Sequence, residues 1–438
     1  MRIYSSIGLQ AADILLPKKE LDLSKWAVVA CDQFTTEPEY WSKIEKETHN
    51  LPSTYHLILP EAFLGTGKAQ NHQAEVNPTM ERYLREGIFQ EVEGFIFIER
   101  EIGSGIRQGL IAALDLDQYD YQPDSQSLIR ATEGTIIDRL PPRIAIRKTA
   151  PVELPHILVL IDDPDFSVIR PLSEIKDKLE MIYDFELMAS GGHLRGYHIK
   201  DHSIGEQIVN AMQNLASADW QKNRYGTSNH PLLYAVGDGN HSLATAKSIW
   251  EIIKPNSDEN HPARFALVEL VNIHDPAIIF EPIHRALMNI DFDLRTEMET
   301  FFNGKLEIKK ESYYDTIKSM VESQKDAGQI FGWLAPSEMY SVSISHPLHI
   351  LTVGSLQKFL DSLKVKYPGV EIDYIHGDEA IRELSSKPHN AGFVLPAMDK
   401  YKLFEAVIKD GPLPRKTFSM GKANEKRYYL EARRIRES

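Results

Sequence analysis

Apolar positions along this chain fall into two patterns. Continuous apolar runs bounded by turn residues predict buried strands at residues 26–31 (WAVVAC), 55–59 before Pro60, 94–100, 106–116, 156–161, 232–236, 263–272 and 392–395. Helical spacing predicts helices over 76–90, 201–215 and 241–253; in the last of these Leu243, Ala246, Ile249 and Ile253 form one apolar face and Pro255 marks the end. Thr36 before Glu37 and Pro38 has the order of a helix start, with helix-forming charges to residue 48. Further helices are expected at 354–364 and 399–409, and a strand at 370–375. Strands and helices mix irregularly, so the pattern predicts a mixed α/β or α+β fold and not a plain Rossmann alternation.

After Arg285 the sequence becomes more charged and poorer in glycine. This divides the chain into a main α/β domain (1–285), a smaller α+β segment (286–345) and a C-terminal α/β segment (346–438). A length of 438 residues fits two or three domains. With 42% apolar and 26% charged residues the chain can bury a large core, which excludes a disordered class. Its net charge of −14 argues against nonspecific nucleic-acid binding. The single cysteine, Cys31, permits no internal disulfide and reads as a buried, inert thiol. Trp26, Trp41 and Trp250 read as core. The first residues lack the basic start and unbroken apolar stretch of a signal peptide, and no apolar run approaches the roughly 20 residues of a membrane span. The expectation is a cytoplasmic protein with a small-molecule substrate and neither a nucleic-acid nor a membrane partner.

The densest polar chemistry lies in VGDGNHSLATAK, residues 236–247, between a predicted strand and a predicted helix. Gly237 and Gly239 let the backbone turn sharply and leave room for a ligand. N–H groups at the start of the following helix suit a phosphate. Asn240, His241 and Ser242 add hydrogen-bonding side chains. Asp238 would repel a bare phosphate, so it makes sense as a ligand of a phosphate-borne metal or as a base for a hydroxyl. An ordinary capped strand-to-helix turn is the alternative reading. The segment is neither a Walker A loop nor a GxGxxG fingerprint. Residues 191–198 (GGHLRGYH) form a second glycine-rich polar stretch, read as a turn; its two histidines are poorly spaced for a zinc site.

The 238–246 segment resembles the Asp-Gly-His-His-Arg-Tyr-x-Thr-Ala motif of the DUF1015 family. Asp238, Gly239, His241, Thr245 and Ala246 match; Asn240, Ser242 and Leu243 stand where that motif has His, Arg and Tyr. In the same order, Glu133 with Asp138-Arg139-Leu140 resembles the family's Glu…Asp-Arg-Leu block, and Pro282-Ile283-His284-Arg285 its Pro-Thr-His-Arg. Pro414-Arg415-Lys416-Thr417 resembles its C-terminal Pro-x-Lys-Ser-Thr block, and Asp32 the Asp of its N-terminal Pro-Tyr-Asp. The Asp-Gly-His-His-Arg element also resembles that of free-serine kinases of the ParB/sulfiredoxin-like superfamily. The resemblance implies a ParB/sulfiredoxin-like core and transfer of a phosphoryl group from a nucleotide or pyrophosphate to a small hydroxyl metabolite such as serine. A non-catalytic nucleotide-binding switch and a phosphoester hydrolase are the other readings.

On this resemblance Asp238, His241, Glu133 and Asp32 are the catalytic candidates, with Asp238 and Glu133 holding Mg²⁺. Gly237, Gly239, Asn240, Ser242 and His284 would bind the phosphates. Because Ser242 replaces a bidentate arginine, another cation must neutralise the phosphates: Arg139, Arg143, Arg285 and Lys416 are the candidates.

Overall fold

Residues 94–98, 110–114 and 265–270 are apolar almost without interruption because both faces of the sheet they build are covered. Phe95, Phe97, Leu110, Ala112, Leu114, Ala266 and Val268 point into one core, with Ile208 and Met212 of the helix His202–Ala216 and Leu243 and Trp250 of the helix Asn240–Ile253. Their alternates Ile96, Ile98, Ile111, Ala113 and Leu267 point into a second core, with Trp41 and Ile44 of the helix Pro38–Glu47 and Val76 and Met80 of the helix Gly67–Arg85. Trp26, Trp41 and Trp250 are all buried.

In this computed structural model, which describes residues 2–134, 141–227, 230–323 and 328–436, the chain forms two units. One comprises Met1–Ile279 and Gly421–Ser438, the other Phe280–Met420. The fold is mixed α/β. In the first unit, an eleven-stranded mixed sheet among the described residues carries Phe89–Ile102, Gly105–Asp115, Phe265–Asn272, Leu158–Ile161, Tyr234–Asp238 and Ile129–Ala131 towards one edge. Phe265–Asn272 runs parallel to Leu158–Ile161, which is antiparallel to Tyr234–Asp238, which is in turn parallel to Ile129–Ala131. In the second unit, Phe280–Met288 lies between Ala391–Val394 and Glu371–His376 in a sheet of seven strands among the described residues; Ile317, Val321 and Ile381 of two helices pack on it.

The boundaries differ from the sequence reading in instructive ways. Residues 286–345 and 346–420 are one unit, because strands from both segments alternate within one sheet, and 421–438 rejoins the first unit. Residues 55–59 are no strand: Thr54–Leu57 is a 3₁₀ turn whose start is capped by Ser53 Oγ accepting from Tyr55 N–H at 3.2 Å. Of residues 26–31 only Val28–Val29 is strand, paired with Tyr428–Tyr429. The GGHLRGYH stretch is a turn only at its start; His193–Ile199 is a strand between Glu180–Glu186 and Phe89–Ile102. Gly196 permits this, since a Cβ there would lie 2.1 Å from the Tyr183 ring. No described helix is long and apolar enough to cross a membrane.

Candidate functional site

The motif turn sits where the strand Tyr234–Asp238 passes into the helix Asn240–Ile253. The ladder to Leu158–Ile161 skips Gly237, so that glycine marks a bulge. Gly239 caps the helix at φ +81°, and a Cβ on it would stand 3.0 Å from the Ile157 backbone. Only glycine meets both conditions without strain. Asp238 therefore leaves the end of the strand with its carboxylate turned back: Oδ1 accepts from Gly239 N–H at 2.9 Å, and Oδ2 lies 3.2 Å from Lys426 Nζ. The helix cap is Gly239, so Asp238 and Asn240 are not capping residues. Asn240 Nδ2 donates to Val236 C=O at 3.4 Å, while its buried Oδ1 has no hydrogen-bond partner among the described residues.

Strand pairing brings three further segments to this turn. The antiparallel register sets Asp238 opposite Leu158, which carries His156 alongside the helix start; Ser242 Oγ lies 3.1 Å from His156 Nε2. His156 Nδ1 is 2.7 Å from the Tyr429 hydroxyl. The Tyr428–Tyr429 pairing with Val28–Val29 continues as Ala30 N–H donating to Arg427 C=O at 2.9 Å, which places Cys31 and Asp32 beside Lys426. Burial pushes the Asp32 carboxyl up, but His156, the Gln33 amide, Lys426 and Arg143 outweigh it and hold it below the ordinary carboxylate range. Third, the parallel register pairs Val236 with Ala131, so Glu133 and Asp238 each leave their strand two residues beyond that pair. Thr132 Oγ1 fixes this edge by donating to Val236 C=O at 2.5 Å.

His156, Ser242 and Tyr429 of this cluster border a cleft of about 930 Å³, counting the space open at its mouth. Its polar rim includes Glu61, Arg143, His156, Ser242 and Tyr429, and its wall is apolar, with Leu57, Leu59, Leu64, Met80, Ile146 and Leu154. Arg143, on the helix Pro141–Arg147, is ion-paired with Glu61. Cys31 also lines the cleft, but burial and the neighbouring Asp32 push its thiol up to about 11, so it stays protonated and unreactive near neutral pH.

Of the residues singled out in the sequence, the first unit thus assembles Asp32, Glu133, Arg143 and the 237–242 turn. Arg139 lies outside the described residues. His284 and Arg285 are interior to the second unit's sheet. His284 Nδ1 accepts from Leu395 N–H at 3.1 Å and its Nε2 faces Asp378 at 3.3 Å, with burial lowering its pKa. Arg285 is fully buried, donating to Gln357 Oε1 at 2.9 Å and Ile283 C=O at 2.7 Å. These contacts tie the sheet together and leave no exposed guanidinium for a phosphate. Lys416 is exposed, with φ +56°. Within the first unit, the cations that act on the Asp238 and Asp32 carboxylates are Lys426 and Arg143. Sequence reasoning missed Lys426, His156 and Tyr429. His156 left a signal, a polar residue heading an apolar strand; Lys426 and Tyr429 left none, because only strand pairing brings them here.

Among the described residues, no group of three or more His, Cys, Asp or Glu side chains is arranged to hold a metal ion. Residues 14–414 match the family model described as "Protein of unknown function (DUF1015)". No curated protein matches in sequence. Among solved structures, the chain is similar to a free serine kinase in complex with AMP, at 12% identity and a TM-score of 0.39, over 74% of this chain and 92% of that one. A conserved hypothetical protein from Pyrococcus furiosus aligns at 13% identity and a TM-score of 0.36, over 73% and 93%. C-terminally truncated SbnI from Staphylococcus aureus aligns at 10% identity and a TM-score of 0.31, over 71% and 83%.

Proposed function

The chain belongs to the DUF1015 family, and from that premise and the geometry of its cleft we propose that it transfers a phosphoryl group from a nucleotide or pyrophosphate to a small hydroxyl metabolite. The observation that carries this reading is the meeting of cations and carboxylates at a glycine-bent helix start. Lys426 lies 3.2 Å from Asp238 and also lowers the pKa of Asp32, as does Arg143. Phosphoryl transfer asks a protein mainly for positioning and charge neutralisation, and this arrangement offers both. Lys426 and Arg143 face the donor oxygens in place of the motif's arginine. The N-terminal end of the helix Asn240–Ile253 adds its positive dipole end. Asp238 or Asp32 takes the proton of the acceptor hydroxyl. The apolar wall accommodates the uncharged part of donor or acceptor.

If magnesium accompanies the donor, Asp238 and Glu133 are the carboxylates that would hold it, with water and phosphate oxygens completing its shell. Its chemistry there is to neutralise charge on the transferring group. The test is a thermal-shift screen of ATP, ADP, AMP and pyrophosphate with magnesium, followed by product analysis with serine and other small hydroxyl compounds. A phosphorylated acceptor is the expected product. Free phosphate as the sole product would make the protein a hydrolase, and binding without turnover would make it a nucleotide-responsive switch.

A further inference from the structure

The helix Asn240–Ile253 carries three hydroxyl side chains in its first three turns, and two of them bond as helix hydroxyls ordinarily do. Thr245 Oγ1 donates to His241 C=O at 2.7 Å, and Ser248 Oγ donates to Ala244 C=O at 2.9 Å. Ser242 differs. Its Oγ reaches across to His156 Nε2 at 3.1 Å and opens on the cleft. The imidazole is held from behind, buried to 7% exposure, with Nδ1 2.7 Å from the Tyr429 hydroxyl. That hydroxyl accepts from Cys31 N–H at 3.3 Å. With the tyrosine proton turned away from the ring, its oxygen accepts Nδ1–H, and Nε2 presents a lone pair to Ser242. His156 is among the groups that hold the Asp32 carboxyl low, so that carboxylate can balance an imidazolium. A hydroxyl, an oriented imidazole and a nearby carboxylate are the parts of an activated nucleophile.

We propose that Ser242 is a nucleophile activated by His156, and that it carries the phosphoryl group as a phosphoserine between donor and acceptor. This rests on the phosphotransfer reading above. In the first half, Ser242 Oγ bonds to the terminal phosphorus while the bond to the leaving phosphate or nucleoside phosphate breaks. The leaving group departs as an anion, and the Oγ proton passes to His156 Nε2. In the second half, the acceptor oxygen bonds to phosphorus and loses its proton to Asp238, which returns it to solvent. The bond to Ser242 Oγ breaks, and Oγ recovers its proton from His156. Between the halves the phosphate sits over the helix N-terminus and beside Lys426 and Arg143, where negative charge is favoured. The substitution that removes the motif's arginine thereby adds a group that can bond covalently to phosphorus.

The experiment uses the full chain, as parent, S242A and H156Q. Each is treated with a fluorophosphonate, which reports an activated serine whatever the natural substrate, and separately with magnesium and ATP or pyrophosphate. Peptide mass spectrometry then locates the adduct. Expected are a phosphonyl group and a phosphoryl group on Ser242 of the parent, at least a tenfold loss of both in H156Q, and neither in S242A. Retained melting temperature of H156Q shows that the loss is chemical. An unlabelled parent that still phosphorylates an acceptor, or an S242A variant with parental turnover, overturns the phosphoserine and leaves direct transfer standing. Phosphonyl labelling of Ser242 in a parent that neither binds nor cleaves any phosphate donor overturns the phosphotransfer reading and the phosphoserine with it. Phosphonylation of both parent and S242A at some other residue overturns the activated serine itself.

Discussion

Asp238 has two different partners, one for each carboxylate oxygen, and they make separable predictions. Gly239 N–H is satisfied by Oδ1, a bond an asparagine oxygen keeps; Lys426 answers the charge, which an asparagine loses. Asp238→Asn should therefore leave the fold intact. As a base in the transfer step, Asp238 should be worth roughly 10²–10⁴-fold in turnover. Steady-state rates beside a melting curve check this, and a folded variant with parental rates would reduce Asp238 to a turn residue. Gly239→Ala tests the opposite property. With φ at +81° and Ile157 at 3.0 Å from the new Cβ, it should destabilise the first unit by about 1–3 kcal/mol. Urea unfolding measures that loss; an unchanged midpoint would mean that the turn relaxes freely.

At the scale of elements, the segment after Gly421 is attached by buried ion pairs. Arg433 Nε lies 2.8 Å from Glu153 Oε1, Arg147 lies 2.7 Å from the other oxygen, and Leu267 N–H donates to the same carboxylate at 2.9 Å. Arg427 meets Glu269 at 2.9 Å and also pairs with Glu431. Burial raises the Glu153 carboxyl, but the two arginines outweigh it and leave its folded pKa below the ordinary 4.5. A depressed carboxylate stabilises the fold above that value, and its contribution is lost as pH falls through the folded pKa. Glu153→Gln should cost about 3–5 kcal/mol near neutral pH, since it leaves buried arginines unpaired. The gap between parent and variant should shrink as pH drops below 4.5. Denaturant midpoints at neutral and acid pH give both numbers; a pH-independent gap would show that packing and not charge was lost. Because Lys426 and Tyr429 ride on this segment, the pairs that secure it also position the site.

For the molecule as a whole, the second unit is an insertion whose two ends meet. Phe280 and Met420 are strand partners, and Gly421 N–H donates to Ile279 C=O at 3.2 Å in the first unit. A unit with adjacent ends and its own core can be cut out without crossing a strand pair. Residues 280–420 expressed alone should fold cooperatively. Circular dichroism through a thermal melt tests this, and a featureless, non-cooperative melt would show that the unit depends on the rest of the chain.

The sequence by itself determined what is local. Continuous apolar runs marked the two-sided strands 94–100, 106–116 and 263–272, because burial on both faces leaves no alternation to hide them. The 3.6-residue period marked the helix Asn240–Ile253, and its glycines marked the turn before it, because a positive φ can be read from residue type. The helix Gly67–Arg85 was half missed, since its first two turns are polar and carry no period. Tertiary structure alone decided which cation faces Asp238, what holds His156 against Ser242, and that residues 421–438 return to the first unit. Those outcomes depend on pairings between segments up to about 400 residues apart, such as Cys31 N–H with the Tyr429 hydroxyl at a separation of 398. Strand register selects such partners by fitting whole faces together, and no single residue in either segment announces the other.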